Sequence, residues 1–261
     1  MKKKTLYLSI ISIITAICIV IGLLIHVIAP AVGWLSDNSD ELNDSGSFLS
    51  GSTVSEELNA FSSIDFDVNV SDVTIAYGDT YAISYKTNKK LLVPQYEIKD
   101  DTLYVKQTND QHIHGLSNNG NCSLQITIPR EASLKLVKGS SDVGDFSMEK
   151  IGAKTLDIYV NVGDIDISDN TFDDITIGSD VGDIDLDNVT FTSADLTSDV
   201  GDIDIVSAVT LEHYAMDLSC SLGDIDVNSD SYRSKYQQQT GAESLKTLTA
   251  STDTGDITVE Y

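Results

Sequence analysis

Aspartates recur at one interval through the second half of the chain. A row of carboxylates at fixed spacing can bind cations, since calcium takes six to eight oxygen ligands from carboxylates and carbonyls. It can also cut glycosidic bonds, where one carboxyl acts as acid and another as base or nucleophile. The calcium candidates are Asp145, Asp164, Asp183 and Asp202, each preceded by glycine, and Asp166, Asp185 and Asp204 two residues further on. Asp226 extends the second set. Stacked about 5 Å apart, such charges repel by roughly 1 kcal/mol in water and more when partly buried. Four things relieve that: splaying into solvent, capping of backbone amides, raised pKa values, or bound cations. Amide capping is the simplest. Calcium is the alternative, although nine-residue calcium repeats carry more glycine than this chain does. Catalysis fits least, because repetition makes the carboxylates equivalent and an acid–base pair needs them different. No Gly-x-Ser-x-Gly, metalloprotease or phosphate-loop motif occurs, so a non-enzyme without a required cofactor is expected. His112 and His114 lie two apart in a loop-like stretch with no further ligands near them.

The elements that place these residues follow from the glycines. Gly144, Gly163, Gly182, Gly201, Gly223 and Gly255 are each followed by aspartate, at steps of 19, 19, 19, 22 and 32 residues. A constant period near twenty signals stacked coils. Apolar residues keep the same step: Leu156, Ile175 and Ala194; Ile158, Ile177 and Leu196; Ile165, Ile184 and Ile203. They alternate with polar residues, as in half-buried strands. Val162, Val181 and Val200 also keep phase and are expected to point inward, with the Gly-Asp corner resetting the alternation. Ile64 to Val70 reads as a degenerate copy, with Ser71-Asp72 at its corner. Further strands are expected near Tyr81–Lys86, Tyr96–Lys99, Leu103–Gln107, Ser123–Ile128 and Ser133–Val137, and a loop from Ser229 to Gly241. The fold class is all-β: a parallel β-helix-like solenoid of about 19-residue rungs, preceded by one N-terminal transmembrane helix.

That helix rests on Leu6 to Ile28, an almost unbroken apolar run after Lys2, Lys3 and Lys4. The run is long enough for a hydrocarbon core of roughly 30 Å. No Lys or Arg follows until Lys86, which places the N-terminus in the cytoplasm and the rest outside. Ala29-Pro30-Ala31 offers a signal-peptide cleavage site, but the apolar run exceeds a signal peptide's. The expected organisation is a cytoplasmic tip and membrane helix at 1–32, a flexible Ser/Asp/Asn-rich stalk at 33–60, and an extracytoplasmic β-repeat domain at 61–261. The chain carries 16 Lys+Arg and 41 Asp+Glu, a net charge of −25. Beyond Lys4 there remain 13 against 41, a net of −28. Nucleic acid is therefore excluded as a partner. The membrane, an envelope protein or a cell-surface polymer remain. Cys220 aligns with Val160, Ser179 and Ser198 and reads as a small core residue rather than half of a disulfide with Cys122.

The phrase Ser-Asp-Val-Gly-Asp-Ile-Asp at 179–185 and again at 198–204, downstream of one apolar run, resembles the bacterial β-strand-repeat family labelled "putative adhesin", a domain of unknown function. The resemblance covers roughly Phe61 to Tyr261. It implies a solenoid-like fold and a membrane-anchored envelope protein, a binding or scaffold module in adhesion or envelope stress. It implies no catalytic residues. A calcium-binding acidic surface protein is the alternative, and a polysaccharide-active β-helix enzyme a more distant one.

Overall fold

The computed structural model describes residues 53–87, 92–107, 122–239 and 246–261, all within one compact unit. The apolar run at 6–28, Cys18, His112 and His114 lie outside the described residues. Among the described residues no helix is long and apolar enough to cross a membrane.

Nineteen strands follow one another in these residues. They begin with β1 (Thr53–Glu57), β2 (Ser63–Val70), β3 (Asp72–Gly78), β4 (Ala82–Lys86), β5 (Gln95–Lys99), β6 (Thr102–Lys106) and β7 (Ser123–Pro129). From there the chain pairs long strands with short ones. β8 (Leu134–Val143) leads to β9 (Phe146–Glu149), β10 (Ala153–Val162) to β11 (Ile165–Ser168), and β12 (Asp174–Val181) to β13 (Ile184–Val189). β14 (Ser193–Val200) leads to β15 (Ile203–Ser207). β16 (Ala215–Val227) is followed by β17 (Asp230–Gln238), and β18 (Thr247–Thr254) leads to β19 (Ile257–Glu260).

From β8 to β15, and again in β18 and β19, each rung is one long strand, a Gly-Asp corner and one short strand; β16 runs unbroken through its Gly223-Asp224 corner. Parallel pairing stacks the rungs with the register that the 19-residue step dictates. Ile158 pairs with Ile177, Ile177 with Leu196. Ile165 pairs with Ile184, Ile184 with Ile203. All of these side chains are buried in a single apolar cluster. A buried aliphatic side chain of this size contributes about 1.5–3 kcal/mol by leaving water. The shared interior is thus the main stabilising element.

The order of rungs departs from chain order at both ends. After β14 the next rung is β18, and β16 lies beyond it: Leu196 pairs with Ala250, and Ala250 with Leu218. The last strands of the chain therefore fill a gap between two earlier rungs. At the other end β2 lies between β6 and β8, and β3 between β7 and β9.

Both ends are closed by antiparallel strands. β17 pairs with β16, so residues 230–238, expected in a loop, form a hairpin cap instead. The reason is visible in the chain: Asn228 and Ser229 take positive φ and turn it back at once. β5 closes β6, while β4 closes β7 and receives β1. The folded unit consequently includes 53–57, a stretch expected to belong to the stalk; its backbone pairs residue for residue with β4.

The inward assignment of three valines is corrected by the structure. Val162, Val181 and Val200 are 46, 46 and 47% exposed. The last inward residue before the corner is Val160, Ser179 or Ser198. Between Ser179 and Val181 the ladder skips Asp180, and the chain swings over before the glycine rather than at it. The inside of the corner is occupied by serines, Val68, Val160, Cys220 and Thr252.

Candidate functional site

The corners lie over one another in a column, in the order 71–72, 144–145, 163–164, 182–183, 201–202, 255–256 and 223–224. Glycine is required there for two reasons. Gly182 sits at φ +146, a region L side chains rarely adopt, and a Cβ on it would stand 2.0 Å from the carbonyl oxygen of Gly163. The same 2.0 Å collision faces Gly201, Gly223 and Gly255. Ser71 replaces glycine at the rung whose neighbour has no Gly-Asp corner: there the chain runs from Gln107 to Cys122 through residues outside the described set.

The aspartates form a hydrogen-bonded ladder. The backbone N–H of Asp164 donates to Asp145 Oδ1 at 3.0 Å, that of Asp183 to Asp164 at 2.9 Å, and that of Asp202 to Asp183 at 2.8 Å. Asp256 donates to Asp202, and Asp224 to Asp256, each at 2.8 Å. Asp145 donates to Asp72 at a longer 3.3 Å. From Asp72 to Asp256 each carboxylate thus caps the amide of the next rung with one oxygen. Of the four ways to relieve the repulsion, amide capping operates in this column.

A different remedy holds two residues on. Asp166, Asp185 and Asp204 are in register, but Thr258 intervenes before Asp226, because β19 sits between β15 and β16. Burial, with Asp204, Asp166, Asp183 and Asp164 around it, pushes the Asp185 carboxyl up to about 6. Asp166 is raised for the same reasons, burial first and then Asp164 and Asp145. Among the described residues no group of three or more His, Cys, Asp or Glu side chains is placed to hold a metal ion. The columns supply one carboxylate per rung rather than a converging set.

Other features escaped the sequence reading. Lys150, Asp169 and Asn188, also 19 apart, take positive φ and make a second corner. The Asn188 amide donates to Asp169 there at 2.5 Å; lysine at the first position hid the pattern. Gln107, buried, stands in for a missing stretch of strand: its Oε1 accepts from the amides of Asn69 and Val70 at 3.0 and 3.1 Å. Tyr159 lies across Gly178 on the outer face, where a Cβ would meet its ring at 2.6 Å, and its hydroxyl donates to Asp180. A cleft of about 590 Å³ beside β5 and β6 is lined by Asp65, Asp67, Tyr96, Glu97, Tyr104 and Lys106. Cys122 and Cys220 are free and buried, and burial pushes the Cys220 thiol up.

Comparison with known proteins agrees with this geometry. A "putative cell adhesion protein" from Clostridium sporogenes superposes with a TM-score of 0.52 at 14% identity, over 80% of this chain and 99% of that one. A "putative adhesin" from Bacteroides fragilis gives 0.47 at 16% identity, over 79% and 95%. At such identities the first likeness is one of fold. No curated protein matches in sequence. The family pattern described as Toastrack DUF4097 matches residues 61–241, most of the chain, and the protein belongs to that family.

Proposed function

We propose that the protein is a binding or scaffold module displayed outside a cell membrane, with Leu6–Ile28 as its anchor. The observation that carries this reading is the outer surface of the stack. It presents the same chemical group at the same place on successive rungs, so one weak contact is repeated many times along a rigid frame. The likeness in fold to a protein described as a cell adhesion protein supports it. So does the apolar run with its lysines on one side only. The partner would be an envelope protein or a cell-surface polymer. Binding suits the corner column better than catalysis, because its carboxylates share one bonding pattern and none is set apart as acid from base. Deleting the protein and measuring attachment and the envelope-stress response tests the idea. A change in either is expected, restored by the full-length chain; no change in both sinks it.

A further inference from the structure

The exposed valines form a stripe. Val143, Val162, Val181, Val200 and Leu222 are 45, 46, 46, 47 and 41% exposed. Val162, Val181 and Val200 pair in sequence, Val200 pairs with Thr254, and Leu222 with Thr254. At about 4.8 Å per rung the stripe runs roughly 24 Å along the stack. Strand propensity does not demand an aliphatic side chain here, since Thr254 holds the same place.

Acid lines both sides of the stripe. On one side stand Asp142, Asp180, Asp199 and Asp253, with Asn161 and Ser221 completing the column, and on the other the corner ladder from Asp72 to Asp224. Neither column contains Lys or Arg. The surrounding chain from residue 155 to 232 holds 19 Asp and Glu and no Lys or Arg. The ladder bonds fix the carboxylates in place.

We propose that this acid-flanked stripe is a docking surface for a basic polypeptide segment whose lysines or arginines are interspersed with aliphatic side chains. The partner's apolar groups and the methylene stems of its basic residues would cover the valines, with their charged heads at the carboxylates. The carboxylates favour a cationic partner over a neutral glycan or an anionic lipid. A metal ion would gain nothing from the valines. The inference rests on the reading of the protein as a binding module and names its partner's chemistry.

Fluorescence anisotropy on the full-length protein tests it. The probe is an alternating Lys-Leu peptide of about eight residues, long enough to span the stripe at roughly 3.3 Å per residue. An alternating Lys-Ser peptide controls for charge alone. Lys-Leu is expected to bind at least about tenfold more tightly than Lys-Ser, and Val162→Ser/Val181→Ser/Val200→Ser to remove that advantage. Asp164→Asn/Asp183→Asn/Asp202→Asn keeps an oxygen for the next amide and is expected to weaken both peptides. Equal binding of the two peptides by the unaltered protein overturns the proposal, whatever the variants do. Because the assay uses no cells, its failure leaves the attachment experiment standing, and the reverse holds too.

Discussion

At the corner glycines two penalties fall on one atom. Gly182→Ala meets an unfavourable φ and a 2.0 Å contact with the backbone of the rung beneath. Backbone carbonyls cannot step aside as a flexible side chain can, so a loss of more than about 3 kcal/mol is expected; chemical denaturation measures it. Gly152, whose Cβ would come no closer than 3.1 Å to a carbonyl, should tolerate alanine much better. For the ladder, Asp183→Ala removes an acceptor from the Asp202 amide and is expected to cost about 0.5–1.5 kcal/mol. Asp183→Asn should cost less, and a melting-temperature comparison separates the two. Asp185 behaves in the opposite sense. Its carboxyl is raised from 3.8 to about 6, so between those values the folded state holds a proton that the unfolded chain has released. Folding is therefore favoured as pH falls through 6 and disfavoured above it. Asp185→Asn should raise the melting temperature at pH 7 and change it little at pH 4. An unchanged melting temperature at pH 7 would contradict the burial of Asp185 and its crowding by Asp204, Asp166, Asp183 and Asp164.

Among the elements, the pitch and the corners were legible because repetition is written in both polar and apolar residues. Ile165, Ile184 and Ile203 mark the interior, and the aspartates mark the turn. What stayed hidden came from the backbone and from distance. The outward turn of Val181 depends on the skipped residue Asp180, which no alternation of residue types reveals. The order of the last rungs was hidden as well, since Leu218 and Ala250 carry the same pattern and either suits the place beside Leu196. Only the hairpin decides: β17 folds back on β16, which leaves the gap for β18. The arrangement makes β18 and β19 an internal rung although they end the sequence. Truncation after residue 246 should therefore expose two parallel edges at once, on β14 and β16. The truncated chain is expected to aggregate or lose its cooperative transition, unlike a repeat protein shortened at a terminal rung. Light scattering and thermal unfolding read this directly.

Across the whole molecule the unbalanced charge sets the response to ions. The chain's net charge is −25, and the regular stack puts carboxylates about 4.8 Å apart along the corner column. That spacing is shorter than the Debye length of about 10 Å at 0.1 M salt. Repulsion along the columns therefore persists at low salt and fades as salt is added. The ion pairs that would weaken with salt, such as Lys106–Asp67 and Lys138–Asp157, are solvent-exposed and contribute little. The melting temperature is thus expected to rise with sodium chloride. This provides the baseline against which calcium must be judged. Screening alone makes calcium and magnesium equivalent at equal concentration. Coordination by aspartate columns would make calcium stabilise further, because it accepts irregular oxygen sets that magnesium does not. With one oxygen of each corner carboxylate committed to the next rung's amide, the two ions are expected to raise the melting temperature equally. A calcium-specific rise, abolished by chelator and by Asp166→Asn/Asp185→Asn/Asp204→Asn, would instead assign the outer column to that metal.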